Sequence, residues 1–158
     1  MEENQIAKKN HWPKIVIAVC AAAIVVFITA SVISREQSKY CDVIIGDNKI
    51  TAELALTSEQ QKQGLSGREN LAEGKGMLFV YDGYYITKFW MKNMNFPIDI
   101  IWIKDDIVAG FAKNLPPEGE SPEQTYEPLT FINYVLEVPA GYVDNHGIKI
   151  GDRVEIRK

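Results

Sequence analysis

The stretch Asp42-Val43-Ile44-Ile45-Gly46-Asp47-Asn48-Lys49-Ile50-Thr51-Ala52-Glu53-Leu54-Ala55-Leu56 decides the fold. Asp42–Ile45 and Lys49–Leu56 are short β-type runs, and Gly46-Asp47-Asn48 between them supplies residues suited to a turn. Directly after the second run, Thr57-Ser58-Glu59-Gln60 reads as a capping box. There a Thr hydroxyl and a Gln three residues later satisfy a helix N-terminus reciprocally. One short helix is therefore predicted, ending at Gly64.

Toward the C-terminus the pattern stays short and strand-like. The loop Glu73-Gly74-Lys75-Gly76 precedes the apolar run Met77–Tyr81. Thr87–Lys92 and Ile98–Ile103 read as paired strands joined by a turn ending in Pro97, and Lys104-Asp105-Asp106 turns the chain into Ile107–Ala112. The acidic, proline-punctuated stretch Asn114–Pro128, with Glu118, Glu120, Glu123 and Glu127, reads as a solvated loop. Tyr134–Val138 and Asp152–Arg157 close the pattern as strands. Short strands, frequent Gly and Pro turns and one helix predict a mainly β fold: a compact antiparallel β-barrel or jelly-roll-like sandwich. A domain of about 120 residues buries a core without metals or disulfides.

Toward the N-terminus the character changes. Ile15–Ile33 carries no charge and has no polar face. At about 1.5 Å per residue a helix of that length nearly spans a hydrocarbon core of roughly 30 Å. Lys8, Lys9 and Lys14 precede it while Arg35 and Lys39 follow, a small bias toward a cytoplasmic N-terminus. Thr29, Ala30 and Ser31 resemble the end of a secretory signal, but the apolar run is longer than a usual signal core. The expected organisation is a cytoplasmic tail (1–14), a transmembrane signal-anchor helix (15–33), a linker (34–39) and an extracytoplasmic β domain (40–158). A cleaved signal would export the domain equally. Cys20 and Cys41 fall on opposite sides of the membrane interface in this scheme, so no intrachain disulfide is expected.

Composition narrows the chemistry. From Tyr40 onward twelve Lys and Arg stand against eighteen Asp and Glu, a net charge of −6, and no basic run appears. Such a domain repels phosphate backbones, so no nucleic-acid partner is expected. With His11 and His146 as its two histidines and no cysteine cluster, the chain predicts no multi-histidine or thiolate metal site. It also has no Walker loop and no serine-nucleophile elbow. No cofactor and no catalytic residue are predicted.

The most unusual stretch is Phe89-Trp90-Met91-Lys92-Asn93, followed by Pro97-Ile98-Asp99. On a strand, Trp90 and Lys92 face one way and Phe89, Met91 and Asn93 the other. Trp90 and Lys92 form either a cation–π decoration of the sheet or one wall of a pocket for an anionic or sugar-like ligand. Asn93 and Asp99 flank the turn and suit hydrogen bonding to its backbone.

Several of these segments together resemble the bacterial and archaeal domain-of-unknown-function family 192. They are Gly64-Leu65-Ser66-Gly67-Arg68, Gly76-Met77-Leu78-Phe79, Phe89–Asn93 with Pro97 and Asp99, Leu136-Glu137-Val138-Pro139-Ala140-Gly141, and Gly147–Val154 with its Gly151-Asp152 pair. The resemblance covers essentially all of the chain after Tyr40. It implies a compact β-barrel or jelly-roll-like sandwich, often exported, and no established activity. Ser66 stands where the family more often has methionine, which implies a less buried position. The family's polar positions fall here on Arg68, Lys92, Asn93, Asp99 and Glu137. Arg68 paired with Asp99 or Glu137 is the expected structural arrangement, since polar groups in apolar strands are costly unless paired.

Two functions from different classes follow. The first is a non-catalytic, membrane-tethered module binding an envelope protein or a small envelope ligand through Arg68, Trp90, Lys92, Asn93, Asp99 and Glu137. The second is a hydrolase acting on an envelope saccharide with Asp99 and Glu137 as a carboxylate pair, which needs the two carboxyls about 5–9.5 Å apart. The first is the expectation carried forward.

Overall fold

A computed structural model describes residues 39–157 together with Cys20. The expected tail, signal-anchor helix and linker lie outside the described residues, apart from Cys20 and Lys39. Among the described residues no helix is long and apolar enough to cross a membrane.

The hairpin forms as its sequence demands. Strand β1 (Tyr40–Ile45) pairs antiparallel with β2 (Asn48–Ala55), and Gly46 turns the chain at φ 59°. Helix α1 (Ser58–Gln63) follows with the capping box in place: Gln60 N donates to Thr57 Oγ1 and Thr57 N donates to Gln60 Oε1. Then come β3 (Lys75–Tyr85), β4 (Ile98–Lys104), β5 (Ile107–Leu115), β6 (Ile132–Pro139), the single-turn helix α2 (Tyr142–Asn145) and β7 (Val154–Arg157).

All seven strands join one sheet in the order β5-β4-β6-β3-β2-β1-β7. The sheet curls into a half-barrel. Its outermost strands meet at one corner, where Val108 N donates to Asp152 O, Gly151 N to Val108 O, and Val154 N to Asp106 O, at 2.7–2.9 Å. The mainly β expectation holds, with corrections. The sheet is mixed rather than antiparallel: β2 and β3 run parallel, because α1 carries the chain back along the sheet as a crossover. Two short helices form among the described residues instead of one. Thr87–Lys92 is not a strand. Phe89 and Tyr126 exchange two backbone bonds and Lys92 bridges Glu118, and the rest of this segment is irregular.

The period-two alternation of the strands sends side chains to two cores. Inside the curl lie Val43, Ile45, Ile50, Leu54, Leu78, Ile101, Leu136 and Val138. Cys41 is buried with them. Outside it lie Met77, Phe79, Ile98, Ile100 and Val135, covered by Leu65, Phe89, Met91 and Met94 from the long connections. Strand β4 is buried on both faces, which explains its near-continuous apolar sequence.

Candidate functional site

Register decides where the two carboxylates of the central strands point. On paired β4 and β6, Asp99 stands opposite Val138 and Ile100 opposite Glu137. Val138 faces the inner core and Ile100 the outer one, so Asp99 points inward and Glu137 outward. The sheet separates them. The arrangement required of a hydrolytic carboxylate pair is not formed.

Asp99 is fully buried and fully used. Its Oδ1 accepts from Asn114 N at 2.7 Å and Gly141 N at 3.1 Å, and its Oδ2 accepts from Val143 N at 2.9 Å. It thereby ties the end of β5 to the start of α2, whose first N–H groups have no intrahelical acceptor. This is the backbone-bonding role expected of it, with partners much farther along the chain than the turn beside it.

Glu137 is the opposite case. It is 6% exposed, sits between Met77 and Ile100 in the rows of the outer face, and its Oε2 has no hydrogen-bond partner among the described residues. Burial pushes its pKa up to about 8, against the pull of the Arg68 charge. Below that pH the carboxyl is neutral and can donate as well as accept a hydrogen bond.

A cleft of about 190 Å³ opens over this carboxyl, lined among others by Gln61, Gly64, Phe79, Thr87, Trp90 and Glu137. Its construction follows from the local sequence. Gln61 Nε2 donates to Ala55 O at 3.3 Å and Val80 O at 2.9 Å, pinning α1 to the end of β2 and the middle of β3. Gly64 then ends the helix at φ 51° and ψ −133°. A Cβ there would stand 3.9 Å from Glu137 Oε2. Phe79 and Phe89 pack edge to face with centroids 5.2 Å apart and form the apolar wall. A more open groove of about 570 Å³ shares Lys62, Gln63, Ser66 and Trp90 with the cleft and continues over Lys92 and Asn93. Trp90, 42% exposed, stands at the junction of the two.

The structure therefore brings together Trp90, Lys92, Asn93 and Glu137, and leaves Asp99 apart. Phe89 and Met91 are buried while Trp90 is exposed and Lys92 half-buried, so the expected alternation holds from Phe89 to Lys92 without a strand; Asn93, expected on the side of Phe89 and Met91, is exposed. Asn93 sits at φ 53°, a left-handed position that Asn tolerates, and its N–H donates to Gly119 O. No Lys92–Trp90 cation–π contact forms among the described residues; those present are Lys39 over Tyr40 and Lys113 over Phe111. Arg68 pairs with neither expected carboxylate. Its partner is Glu53, at 2.8 Å, which Lys39 also approaches at 3.3 Å. Burial raises the Glu53 pKa, but these two cations hold it below the usual carboxylate value. Ser66 is half-buried, and its hydroxyl donates to Lys92 O at 2.7 Å, fastening the connection after α1 to the Trp90–Asn93 segment along the groove. The acidic loop is not wholly solvated. Glu118 Oε1 accepts from Glu123 N and Gln124 N and folds the loop on itself.

Gln61, Gly64, Phe79 and Thr87 were not read as site residues. Gly64 carried a signal as the stop of a capped helix, and Phe79 stood in the Gly76–Phe79 segment of the family resemblance; Gln61 and Thr87 carried none.

The DUF192 family model, described as an uncharacterized ACR, matches residues 42–156. Two solved structures are similar. One is a protein from Sinorhizobium meliloti 1021, provisionally described as a transcription regulator: 32% identical, covering 74% of this chain and 92% of that one, with a TM-score of 0.67. The other is a protein of unknown function from Novosphingobium aromaticivorans DSM 12444: 33% identical, covering 73% and 83%, with a TM-score of 0.65. No curated protein matches the chain.

Proposed function

The chain belongs to domain-of-unknown-function family 192, and from that premise we propose that it is a membrane-tethered, extracytoplasmic and non-catalytic binding module. Its ligand, an envelope component or a partner protein, inserts a polar group into the Glu137–Trp90 cleft. One observation carries the reading: a carboxyl 6% exposed, with an unpartnered oxygen, opens into an aromatic-walled cleft. A buried polar atom without a partner costs stability, and a ligand that bonds it recovers that cost. The exposed face of Trp90 offers a flat ligand a stacking surface at the mouth. The charge-free run Ile15–Ile33 supports the tether, and the flanking lysines support an external domain.

A lone carboxyl does not supply the two groups that glycoside hydrolysis needs, because Asp99 lies on the other face of the sheet. Carried over to this chain, the Sinorhizobium relative's description as a transcription regulator would imply a nucleic-acid partner. The net charge of −6 from Tyr40 onward and the lack of a basic run favour a different kind of ligand.

The test is capture from a panel of envelope glycans and photo-crosslinked envelope proteins by the full chain in detergent. Trp90→Ala and Glu137→Gln should each lower capture at least tenfold while the thermal melt stays cooperative. Undiminished capture by both folded variants would remove the cleft from consideration.

A further inference from the structure

Of the ten large apolar side chains exposed among the described residues, six gather at one end of the sheet, and register identifies that end; the other four are Ile86, Trp90, Ile107 and Ile150. Tyr40 pairs with Glu53, and Leu54 N donates to Lys39 O at 2.9 Å, so the chain comes into β1 beside the C-terminal end of β2. Strand β3 runs parallel to β2, with Ala55 opposite Phe79, and continues past it to Tyr85. Strand β6 begins at that level, Ile132 standing opposite Tyr85. The same rim therefore holds Tyr40, Leu56, Tyr84, Tyr85, Leu129 and Phe131. Leu129 is fully exposed, and the other five are between 42% and 56% exposed. At the far end of the first hairpin the chain exposes Gly46 and Asp47 instead.

We infer that this rim rests on the lipid bilayer, with its tyrosines at headgroup level and Leu129 and Phe131 directed toward the acyl boundary. The inference depends on the membrane-tether reading and adds an orientation to it. Two observations choose the bilayer as occupant. The apolar run ends at Ile33 and the described domain opens at Lys39. Six residue steps reach at most about 20 Å even when fully extended, and the interfacial layer on each side of the hydrocarbon is itself about 5–8 Å thick. The end of the domain that the tether reaches thus stands at most about 12–15 Å beyond the headgroup layer, close enough to settle on it, and it is the end that carries the apolar rim. The residue types also fit, because tyrosine concentrates at membrane–water interfaces and a tip of Leu and Phe buries favourably below them. The Tyr84 and Tyr85 hydroxyls already donate to Asp105 and Asp82, which leaves the rings as the surface to be covered. Asp82 and Asp105 on Tyr85 and Tyr84, and Lys39 over Tyr40, give the rim charges of both signs, so docking needs no anionic lipid.

The experiment uses the full chain with Cys20→Ser, reconstituted in phosphatidylcholine vesicles containing nitroxide-labelled phosphatidylcholine. An environment-sensitive fluorophore is placed at Leu129→Cys or, as control, at Asp47→Cys; Cys41 stays buried in the core. The label at 129 should be blue-shifted and quenched by the nitroxide lipid several-fold more strongly than the label at 47. Adding Tyr84→Ser and Phe131→Ser should abolish most of that difference. If the chain floats with the vesicles and both labels are quenched alike, docking is overturned and the tether stands. If the chain does not float, the tether reading fails and docking with it. A label at 129 that is shielded from aqueous iodide yet untouched by nitroxide lipid would identify a protein surface, such as a second copy, and overturn the bilayer.

Discussion

Asp99 and Glu137 stand one residue out of register on neighbouring strands, so one sheet holds them back to back. Their surroundings differ as much as their directions. Asp99 accepts three backbone hydrogen bonds, whereas Glu137 leaves an oxygen unpartnered in a cleft. The first carboxylate is a structural clamp and the second is the chemically available one, although both read alike as polar residues in apolar strands.

Asp99→Ala should therefore destabilise the domain strongly. It strips acceptors from the N–H groups of Asn114, Gly141 and Val143 and leaves a cavity at a fully buried position. The expected loss is on the order of 3 kcal/mol or more. Asp99→Asn keeps the volume and part of the bonding and should lose less. Thermal melts of both variants check the ranking; a melt of Asp99→Ala equal to wild type would contradict the clamp.

Glu137 gives the domain a pH signature of definite sign. Unfolded, the carboxyl ionises near 4.5; folded, it keeps its proton to about 8. Between those values the folded state binds more protons, so this contribution is complete below about 4.5, falls as pH rises, and is gone above about 8. The slope inside the window is about 1.4 kcal/mol per pH unit at its steepest. Glu137→Gln cannot ionise and should gain stability over wild type progressively from pH 5 to 8, then hold a constant advantage. Parallel melts at pH 5, 6.5 and 8.5 measure the difference. A difference that does not change with pH would mean that the folded carboxyl is already ionised.

How much of this was legible in the sequence depends on the range of the interaction. The Gly46 turn, the Thr57–Gln60 capping box and the stop at Gly64 were readable because each is decided within a few residues. The Trp90/Lys92 alternation was readable for the same reason, although the segment that displays it is irregular. Strand pairing was not, because the parallel β2–β3 contact depends on how α1 returns the chain across the sheet. The Arg68–Glu53 pair was missed for a related reason. Glu53 alternates with buried Ile50, Ala52 and Leu54 and looks like a solvent-facing strand residue, until the connection between α1 and β3 brings Arg68 to it. The cleft inherits this history: Trp90 and Glu137 were visible in the chain as candidate positions, whereas Gln61, Gly64, Phe79 and Thr87 join them only through the fold.

Arg68 should act on Glu137 without touching it. Its charge lowers the Glu137 pKa, so Arg68→Gln should move the carboxyl's titration further above its wild-type midpoint of about 8. The same change should let Glu53 titrate higher, because one of the two cations that oppose its burial is gone. The stability cost should be small, about 1 kcal/mol or less, since the Arg68–Glu53 pair is part-exposed and screened. Carboxyl carbon chemical shifts followed by NMR across pH 4–10 report both groups separately. A Glu137 midpoint that stays put while Glu53 moves would place the Arg68 charge outside the cleft's field.

Gly64→Ala separates the backbone requirement of the cleft from its shape. At φ 51° and ψ −133° an alanine is strained, and the cost should be about 1–3 kcal/mol. The added methyl meets Phe79 Cζ at 3.5 Å, an ordinary contact, so packing contributes little to that cost. It also stands 3.9 Å from Glu137 Oε2, at the position a ligand atom would need. Gly74→Ala is the matched control: its φ is 69°, and a Cβ there meets nothing within 4 Å. Both variants should melt lower than wild type, by amounts set by their backbone strain. Ligand capture should fall in Gly64→Ala and remain intact in Gly74→Ala under conditions where both are folded. Equal capture by the two would show that the ligand never reaches the carboxyl.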